Sequence, residues 1–196
     1  MRNFWIKSII TFSILFPVSV FLHETGHWII FEINGLDSWI SLQRANLVYP
    51  DRLTDEIFFK SLIGGPILTI LLAFISYFLL TKFRNSLWLI ILGLINATFR
   101  ILPTLIGVLT SFKTDDLNGI SDEGNVALRI TENVFIRELM MVLLLAFFIF
   151  FITRFYKTFK FPDYFKRRKL FVTIICLLTI LISLIYPKLD KIIFGI

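Results

Sequence analysis

Charged residues are scarce in this sequence, and their distribution excludes a soluble globular protein. They make up 17% of the 196 residues, against about a quarter in a typical soluble domain. They are also clustered, which leaves an uncharged run of 21 residues between Lys60 and Lys82 and another of 18 between Lys169 and Lys188. Runs of about 18 or more apolar residues are long enough to cross a bilayer as helices. The sequence therefore predicts an integral membrane protein.

Cysteine and histidine are also scarce. The single cysteine, Cys176, lies inside an apolar run and excludes an intrachain disulfide. The only two histidines are His23 and His27, so a metal site in this chain cannot have three histidine ligands. We find no internal repeat and no low-complexity linker. The apolar N-terminal stretch has no A-x-A-like cleavage site, which predicts that this first span stays uncleaved.

Shorter uncharged runs complete a prediction of five membrane-spanning helices. One helix from Ser8 to Phe31 would run through the polar sequence HETGH, and a lone Arg100 interrupts another apolar stretch. The run between Glu138 and Arg154 can also span, because charged side chains at its ends can reach the interface. We expect an all-α integral membrane protein that forms a single transmembrane domain. Its helices are expected near residues 8–31, 61–81, 86–110, 137–156 and 170–187.

Basic residues collect in segments that alternate with these helices. The N-terminus, residues 82–84 and the loop 154–169 hold 11 basic residues and one acid, whereas residues 32–60, 113–138 and the C-terminal tail hold 8 basic and 12 acidic residues. An excess of Lys and Arg in short loops marks the cytoplasmic side. The bias predicts a multi-pass protein of the cell membrane with a cytoplasmic N-terminus and the first long loop outside. We expect the basic loop to face the lipid bilayer, with no nucleic acid as a partner.

The sequence FLHETGHWII places His23, Glu24 and His27 inside the first span. Histidines four residues apart share one face of a helix and can bind one zinc ion through neutral imidazoles. Glu24 is turned by about 100° from His23, which suits a base for a water molecule better than a metal ligand. The plainer alternative is polar side chains that face a helix bundle. Because ionisable residues inside a membrane are costly and mark functional sites, we predict a zinc site with Glu24 as catalytic base.

A catalytic zinc site usually has three protein ligands, so one ligand remains to be found. It must be a carboxylate or Cys176. The predicted topology puts Cys176 near the inner end of its helix and HETGH in the outer half of the first helix, which favours an acid on the outer side. The acids there are mainly Asp37, Asp51, Asp55, Glu56, Asp115, Asp116, Asp122 and Glu123.

The third predicted span contains polar residues of its own, in LINATFRILPTLIG at residues 94–107. Asn96 and Arg100 are four apart on one predicted helical face, and both are candidates to contact a substrate or a developing oxyanion. Arg100 could instead pair with an acid of the outer loop or extend to the outer interface. Pro103 is expected to kink or break the helix, which is tolerated at membrane depth where the backbone is buried in protein or lines a cavity.

Together these features resemble the site-2 protease family of intramembrane zinc metalloproteases, which cut transmembrane helices. The resemblance covers residues 20–125 and maps His23 and His27 onto two zinc ligands and Glu24 onto the catalytic base. GGPILT, residues 64–69, resembles the Gly-Pro stretch of the family. The family also has an Asn-Pro-containing segment with a ligating aspartate followed by glycine. Here Asn96 and Pro103 are seven residues apart and the acids come later.

Among those later acids we favour Asp122 in SDEG as the third ligand, with Asp116 as the alternative. A serine before Asp122 and the helix-like NVAL after it suit an ordered start of a helix. The resemblance implies a metalloprotease-like core over about residues 8–128, followed by two further helices in 129–196. In the family the site usually lies nearer the cytoplasm, whereas the charge bias puts HETGH towards the outer face.

The expected function is that of an intramembrane zinc metallopeptidase that hydrolyses peptide bonds in or near the transmembrane segments of a membrane-embedded protein or peptide. A substrate helix must unwind first, because its backbone in lipid is already hydrogen-bonded. Gly64–Pro66 and the break at Pro103 could shape the cavity that admits it, although close helix packing also explains the glycines. Two alternatives stay open. One is a non-proteolytic zinc-binding membrane protein, an inactive protease-like regulator; the other is a metal-dependent transporter.

Overall fold

The structure, a computed structural model, describes residues 2–42, 44–111, 122–163 and 165–194. These residues form seven α-helices, a short β-hairpin and a 3₁₀ turn at Pro50–Arg52. In chain order the elements are α1 (Arg2–Ile33), β1 (Ser38–Ile40), β2 (Ala45–Leu47), α2 (Asp55–Lys82), α3 (Leu87–Phe99), α4 (Ile101–Ser111), α5 (Asp122–Ile130), α6 (Val134–Thr158) and α7 (Arg168–Phe194).

Five segments of the described chain are long and apolar enough to cross a membrane, which confirms the predicted architecture. They are α1, α2, α6, the α3–α4 segment Leu87–Ile106, and Arg168–Tyr186 of α7. Helices α1, α2, α6 and α7 extend beyond the predicted ranges, because an uncharged run marks only the apolar part of a helix. The polar ends include N-caps: Thr54 and Asn133 accept hydrogen bonds from the backbone N–H groups of Ile57 and Ile136.

The span predicted near residues 86–110 is divided at Arg100 into α3 and α4. Pro103 lacks a backbone N–H, and its ring would clash with the carbonyl of Phe99 in a continuous helix, so the expected break lies one turn before the proline. The break has a consequence for the side chains. Arg100 turns towards α1 and α5, whereas Asn96 donates to Ser19 Oγ of α1 at 3.1 Å. Both residues nevertheless face α1, at Ser19 and His23, which are four residues apart on one face of that helix. Asn96 and Arg100 therefore lie on one side of the α3–α4 segment, as the sequence predicted.

Helices α1, α2 and α3 pack against one another at the centre of the molecule, and α6 and α7 both pack on α3. The backbones of α1 and α2 touch at Gly26 and Gly64. A Cβ on either residue would overlap the carbonyl group of the other. Small residues permit this close approach between helices in a membrane. The contact brings the HETGH segment of α1 directly against the Gly64–Pro66 stretch of α2.

A β-hairpin between α1 and α2 covers the end of α1 and is an addition to the predicted fold. Its strands are antiparallel, with Ser38 opposite Leu47 and Ile40 opposite Ala45, and both strands contact α1. Each strand has three residues. An alternating apolar and polar pattern is recognisable only over longer stretches, so the hairpin left no clear signal in the sequence.

The basic segments meet at the opposite end of the bundle from the hairpin. The Lys160 backbone N–H donates to the Arg84 carbonyl at 2.7 Å, which joins the α6–α7 connection to the α2–α3 turn. The rings of Phe4 and Phe165 lie 4.4 Å apart, which joins that connection to the start of α1. Lys7 and His23 are 16 residues apart on α1, or roughly 24 Å at the α-helical rise. The basic end and the HETGH motif are therefore well separated.

Candidate metal centre

Three side chains converge near the hairpin end of α1 as the predicted ligands of one metal ion. His23 Nε2 lies 3.2 Å from His27 Nε2 and 3.3 Å from Asp122 Oδ2, and His27 Nε2 lies 3.6 Å from the same oxygen. Tetrahedral zinc with bonds of about 2.0–2.1 Å has ligand atoms roughly 3.3–3.5 Å apart. The triangle of His23, His27 and Asp122 thus has the size that a zinc ion requires.

The hydrogen bonds of the two Nδ1 atoms fix where the protons of the imidazoles lie. His27 Nδ1 is 2.7 Å from the Ser61 carbonyl oxygen, which can only accept, so this nitrogen carries the proton. His23 Nδ1 is 2.9 Å from Thr69 Oγ1, whose hydroxyl donates to the Gly65 carbonyl and is left to accept from the imidazole. Neutral rings held in this way point both Nε2 lone pairs towards Asp122. Two imidazole lone pairs beside a carboxylate form a group of acceptors that a cation would stabilise, and the Arg100 guanidinium already reaches two of them.

Space for the two rings comes from α2. A Cβ on Gly65 would overlap the His27 ring at Nε2 and lie 2.6 Å from His23 Cε1. The glycines of GGPILT therefore have two separate roles, since Gly64 contacts the backbone of α1 and Gly65 makes room for the imidazoles. One face of α2 is turned towards the candidate metal centre. It carries Ser61, Gly65 and Thr69, which are spaced by four residues.

Asp122 reaches the histidines because it is the first residue of α5, a short helix outside the membrane-spanning segments. Arg129 holds this helix to the start of α2, where its guanidinium lies 3.5 Å from Asp55 and 5.0 Å from the centre of the Phe58 ring. Burial raises the pKa of the Asp122 carboxyl, but hydrogen bonding and the positive charge of Arg100 beside it outweigh burial and hold this pKa well below its usual range. The carboxylate is therefore ionised at neutral pH and can serve as a ligand.

Arg100 is buried beside the triangle and is itself held by a carboxylate. Its guanidinium pairs with both oxygens of Glu123, donates to Asp122 Oδ2 at 3.0 Å and lies 3.2 Å from His23 Nε2. Of the alternatives that the sequence left open for Arg100, pairing with an acid of the outer loop is the one that the structure shows. Glu123 had been only one acid among several, and its partner could not be known before α5 was placed.

The formal charges around the triangle do not balance. Among the groups at the triangle, Glu24, Asp122 and Glu123 contribute three negative charges when ionised and Arg100 one positive charge, which sum to −2, while the exposed Arg44 lies in the cavity wall. Glu24, Glu123 and Arg100 are each less than 10% exposed. Uncompensated charge is costly in so buried a place, and a divalent cation would bring the sum to zero. The donor atoms and the charge therefore both fit a divalent metal ion.

A cavity of about 490 Å³ opens onto this centre. His23, Glu24 and His27 line its floor together with Arg100 and Asp122. Its walls come from β2 and the residue before it, from α4 beyond the break, and from α7: Arg44, Ala45, Asn46, Leu102, Pro103, Ile106, Ser183 and Leu184. The break at Pro103 thus contributes to the cavity, as the sequence predicted, and α7 joins the site from outside the predicted core.

Comparisons with known proteins leave the site to be interpreted from its own geometry. No protein-family model, curated protein or solved structure matches this chain. The interpretation below therefore depends on the residues of this chain and on the chemistry that their arrangement permits.

The remaining predicted residues lie away from the triangle or outside the described chain. Asp116, the alternative third ligand, falls outside the described residues. Asn96 is not among the residues that line the cavity, and its amide is bonded to α1. Cys176 accepts a hydrogen bond from Thr98 at 3.3 Å and packs beside the apolar core between α3 and α7. Sequence reasoning missed Thr69, whose hydroxyl holds His23, and Ser61, which holds His27 through its backbone carbonyl; neither carries a distinctive sequence pattern.

Proposed function

We propose that this protein is an intramembrane metallopeptidase whose zinc ion is bound by His23, His27 and Asp122. The convergence of two imidazole nitrogens and one carboxylate oxygen beside Glu24 is the observation that carries the proposal. Two histidines and a carboxylate leave the fourth position of a tetrahedral zinc ion open, which is the arrangement of catalytic sites; structural sites close all four positions. When bound, zinc supplies Lewis-acid chemistry, since it acidifies water and polarises a carbonyl group.

Glu24 is the proposed general base. It follows His23 directly, so its side chain points to a different side of α1 from the ligands, and it lines the cavity. The backbone N–H of Ala45 in the hairpin faces its carboxylate. In this role Glu24 takes the proton from the attacking water and passes it to the leaving amine of the peptide. A general base at this position is expected to contribute about 10²–10⁴-fold to the rate.

Arg100 is the proposed stabiliser of negative charge on the substrate. Its guanidinium reaches the centre and lines the cavity, and Glu123 fixes its plane by a two-pronged contact. A preorganised cation beside a peptide carbonyl stabilises the charge that develops on the oxygen. This assignment retains the oxyanion role that the sequence suggested, and adds Glu123 as the residue that positions the guanidinium.

A protein or peptide embedded in the membrane is the proposed substrate. The centre is formed by helices that can span a bilayer, and apolar residues such as Leu102, Ile106 and Leu184 line part of the cavity. The buried amide nitrogen of Asn46 has no hydrogen-bond partner within the described residues and lies in the cavity wall, where a carbonyl of an unwound peptide could accept from it. The charge bias supports a cytoplasmic N-terminus, with the centre towards the outer face.

Zinc content and cleavage, measured together on matched variants, test this proposal. A pooled library of single-span peptides in detergent micelles serves as substrate, and mass spectrometry identifies the products. Glu24→Gln should keep about one zinc per chain and lose about 10²–10⁴-fold in cleavage rate. Glu32→Gln, the same change at an exposed position of α1, should leave both unchanged.

Three results would contradict parts of the proposal in different ways. Undiminished cleavage by Glu24→Gln would exclude Glu24 as the base. A wild-type protein that contains no zinc would contradict the proposed metal centre itself. A wild-type protein that holds zinc and cuts nothing in the library would favour a non-proteolytic zinc-binding protein, which is the main alternative for this site.

A further inference from the structure

A second cavity, of about 480 Å³, lies at the basic end of the molecule, far from the metal centre. Three segments form it: the start of α1, the turn between α2 and α3, and the connection between α6 and α7. Polar groups of Asn3, Lys7, Asn85 and Lys160 line it, with Asp163 as the only acid among its lining residues. A neighbouring cavity of about 540 Å³ shares Asn85 and Lys160 with it and adds Lys82 and Arg84.

The basic residues of these two cavities lack carboxylate partners in the part of the chain that the structure describes. There Lys7, Lys82, Arg84 and Lys160 form no ion pair with a carboxylate. The two adjoining cavities therefore hold four basic residues and one acid between them, and all five are exposed. The arrangement is held in place, because the Lys160 backbone N–H is bonded to the Arg84 carbonyl. Like charges kept together in this way attract an anion.

The interior of the same cavity is apolar and aromatic. Phe4, Phe159 and Phe161 line it and are each less than 10% exposed. Phe83 lines the neighbouring cavity and is about half exposed, as is Trp88 next to Leu87, and Phe78 is 67% exposed about one turn before Lys82 on α2. An ordered apolar interior below a basic rim, with exposed aromatic side chains next to it, suits a ligand that has both an anionic group and a hydrocarbon part. Free phosphate alone would make no use of the apolar surfaces.

We infer that this cavity binds the phosphate of an anionic phospholipid, with the headgroup against Lys7, Lys160 and the two asparagines and an acyl chain along Phe78 and Phe83. Basic pockets between spanning helices on the cytoplasmic side are suited to anionic headgroups. The exposed aromatic residues favour a lipid over a nucleic acid, whose backbone is also anionic but which has no hydrocarbon chain. The site does not depend on the metallopeptidase proposal, since it shares no residue with the metal centre.

Binding of phosphatidylglycerol to the full-length protein in a zwitterionic detergent tests the inference. Native mass spectrometry counts the lipids that stay bound during titration with phosphatidylglycerol or phosphatidylcholine, and inorganic phosphate and a short RNA serve as competitors. The wild type should retain one phosphatidylglycerol in a saturable way and no phosphatidylcholine. The double variant Lys7→Gln/Lys160→Gln should bind it about 30-fold more weakly, at about fivefold for each lysine.

Two further variants separate the cavity from general surface charge. Lys157→Gln/Lys169→Gln removes the same charge at exposed positions outside the cavity and should change affinity less than about twofold. Lys7→Arg/Lys160→Arg should retain binding, which shows that the cavity variant did not lose lipid through misfolding. Three outcomes would each overturn the inference. The first is an equal loss of affinity in both glutamine variants, and the second is retention of phosphatidylcholine. The third is displacement of the bound lipid by millimolar phosphate or by RNA.

Discussion

At the scale of single residues, the metal centre depends on polar atoms that hold the ligands as much as on the ligands themselves. Thr69 accepts from His23 Nδ1 and thereby turns the lone pair of Nε2 inward. Ser61 does the same for His27 through its backbone carbonyl, which no side-chain substitution can remove. Of these two hydrogen bonds made by the ligands, the one to Thr69 is therefore easier to test by mutation, because the threonine hydroxyl can be deleted without a change in side-chain shape.

Thr69→Val is expected to weaken zinc binding about 10–100-fold, as the loss of such an outer partner typically does. Valine leaves His23 Nδ1 without an acceptor, so the ring is free to adopt the tautomer that blocks the metal. Thr81→Val on the same helix removes an exposed hydroxyl and is the matched control. Competition with a chelator of known affinity gives the dissociation constants, and unchanged affinity in Thr69→Val would contradict the assigned tautomer.

The sequence indicates the residues whose type and spacing suit the proposed chemistry. His23, Glu24 and His27 are recognisable from their spacing alone, and the sequence favoured Asp122 as the third ligand, with Asp116 as the alternative; the structure brings Asp122 to the two histidines. The partners of Arg100 could not be predicted, because they depend on where α5 lies after a break in the chain. Thr69 was missed for a related reason, since a threonine inside an apolar run has no distinctive pattern of its own.

At the scale of the helices, the contact between α1 and α2 decides whether the centre can form. Gly64 and Gly65 are neighbours in the sequence, but a Cβ would meet different atoms at the two positions. At Gly64 it would overlap backbone atoms of Gly26, which cannot move aside without separating the helices. At Gly65 it would meet the ends of two imidazole rings, which can rotate away.

The two alanine substitutions are therefore expected to fail in different ways. Gly65→Ala should fold with nearly unchanged thermal stability and lose zinc, because the displaced rings no longer converge. Gly64→Ala should lower the free energy of unfolding by about 1–3 kcal/mol through overpacking at the helix interface. Thermal unfolding in detergent and zinc content distinguish the two outcomes. Full zinc binding by Gly65→Ala would show that the rings do not need the space assigned to them.

The positions of the spanning helices were predictable because their apolar runs are long. The segments that connect these helices were harder to predict. The break at Arg100 follows from Pro103 through a known backbone effect, although a sequence gives only its approximate place. The hairpin and α5 are short and polar enough that no periodic pattern identifies them. Both contribute directly to the cavity, so the parts of the site hardest to predict were those contributed by short elements.

At the scale of the whole molecule, two ends with different chemistry are separated by the length of α1. One end carries the metal centre and the hairpin; the other collects the basic segments around the second cavity. The charge count predicted that the basic segments belong to one side of the membrane, and the structure does bring them into contact. Which side this is follows from the charge bias and remains a prediction.

Labelling of single cysteines with a membrane-impermeant reagent tests this orientation. In a Cys176→Ala background, Asp51→Cys in the loop beside the hairpin should react in intact cells. Lys166→Cys between α6 and α7 should react only after the membrane is permeabilised, because an excess of basic residues keeps its segment in the cytoplasm. The opposite pattern of labelling would place the metal centre nearer the cytoplasm.

The metal content of the purified protein tests the central claim most directly. After dialysis against a weak chelator, elemental analysis should find about one zinc ion per wild-type chain. It should find almost none in Asp122→Asn, which keeps the shape of the third ligand but removes its charge. Asp51→Asn, at an exposed carboxylate that does not line the cavity, should bind as the wild type does. A wild-type chain without stoichiometric metal, or full zinc retention in Asp122→Asn, would contradict the account.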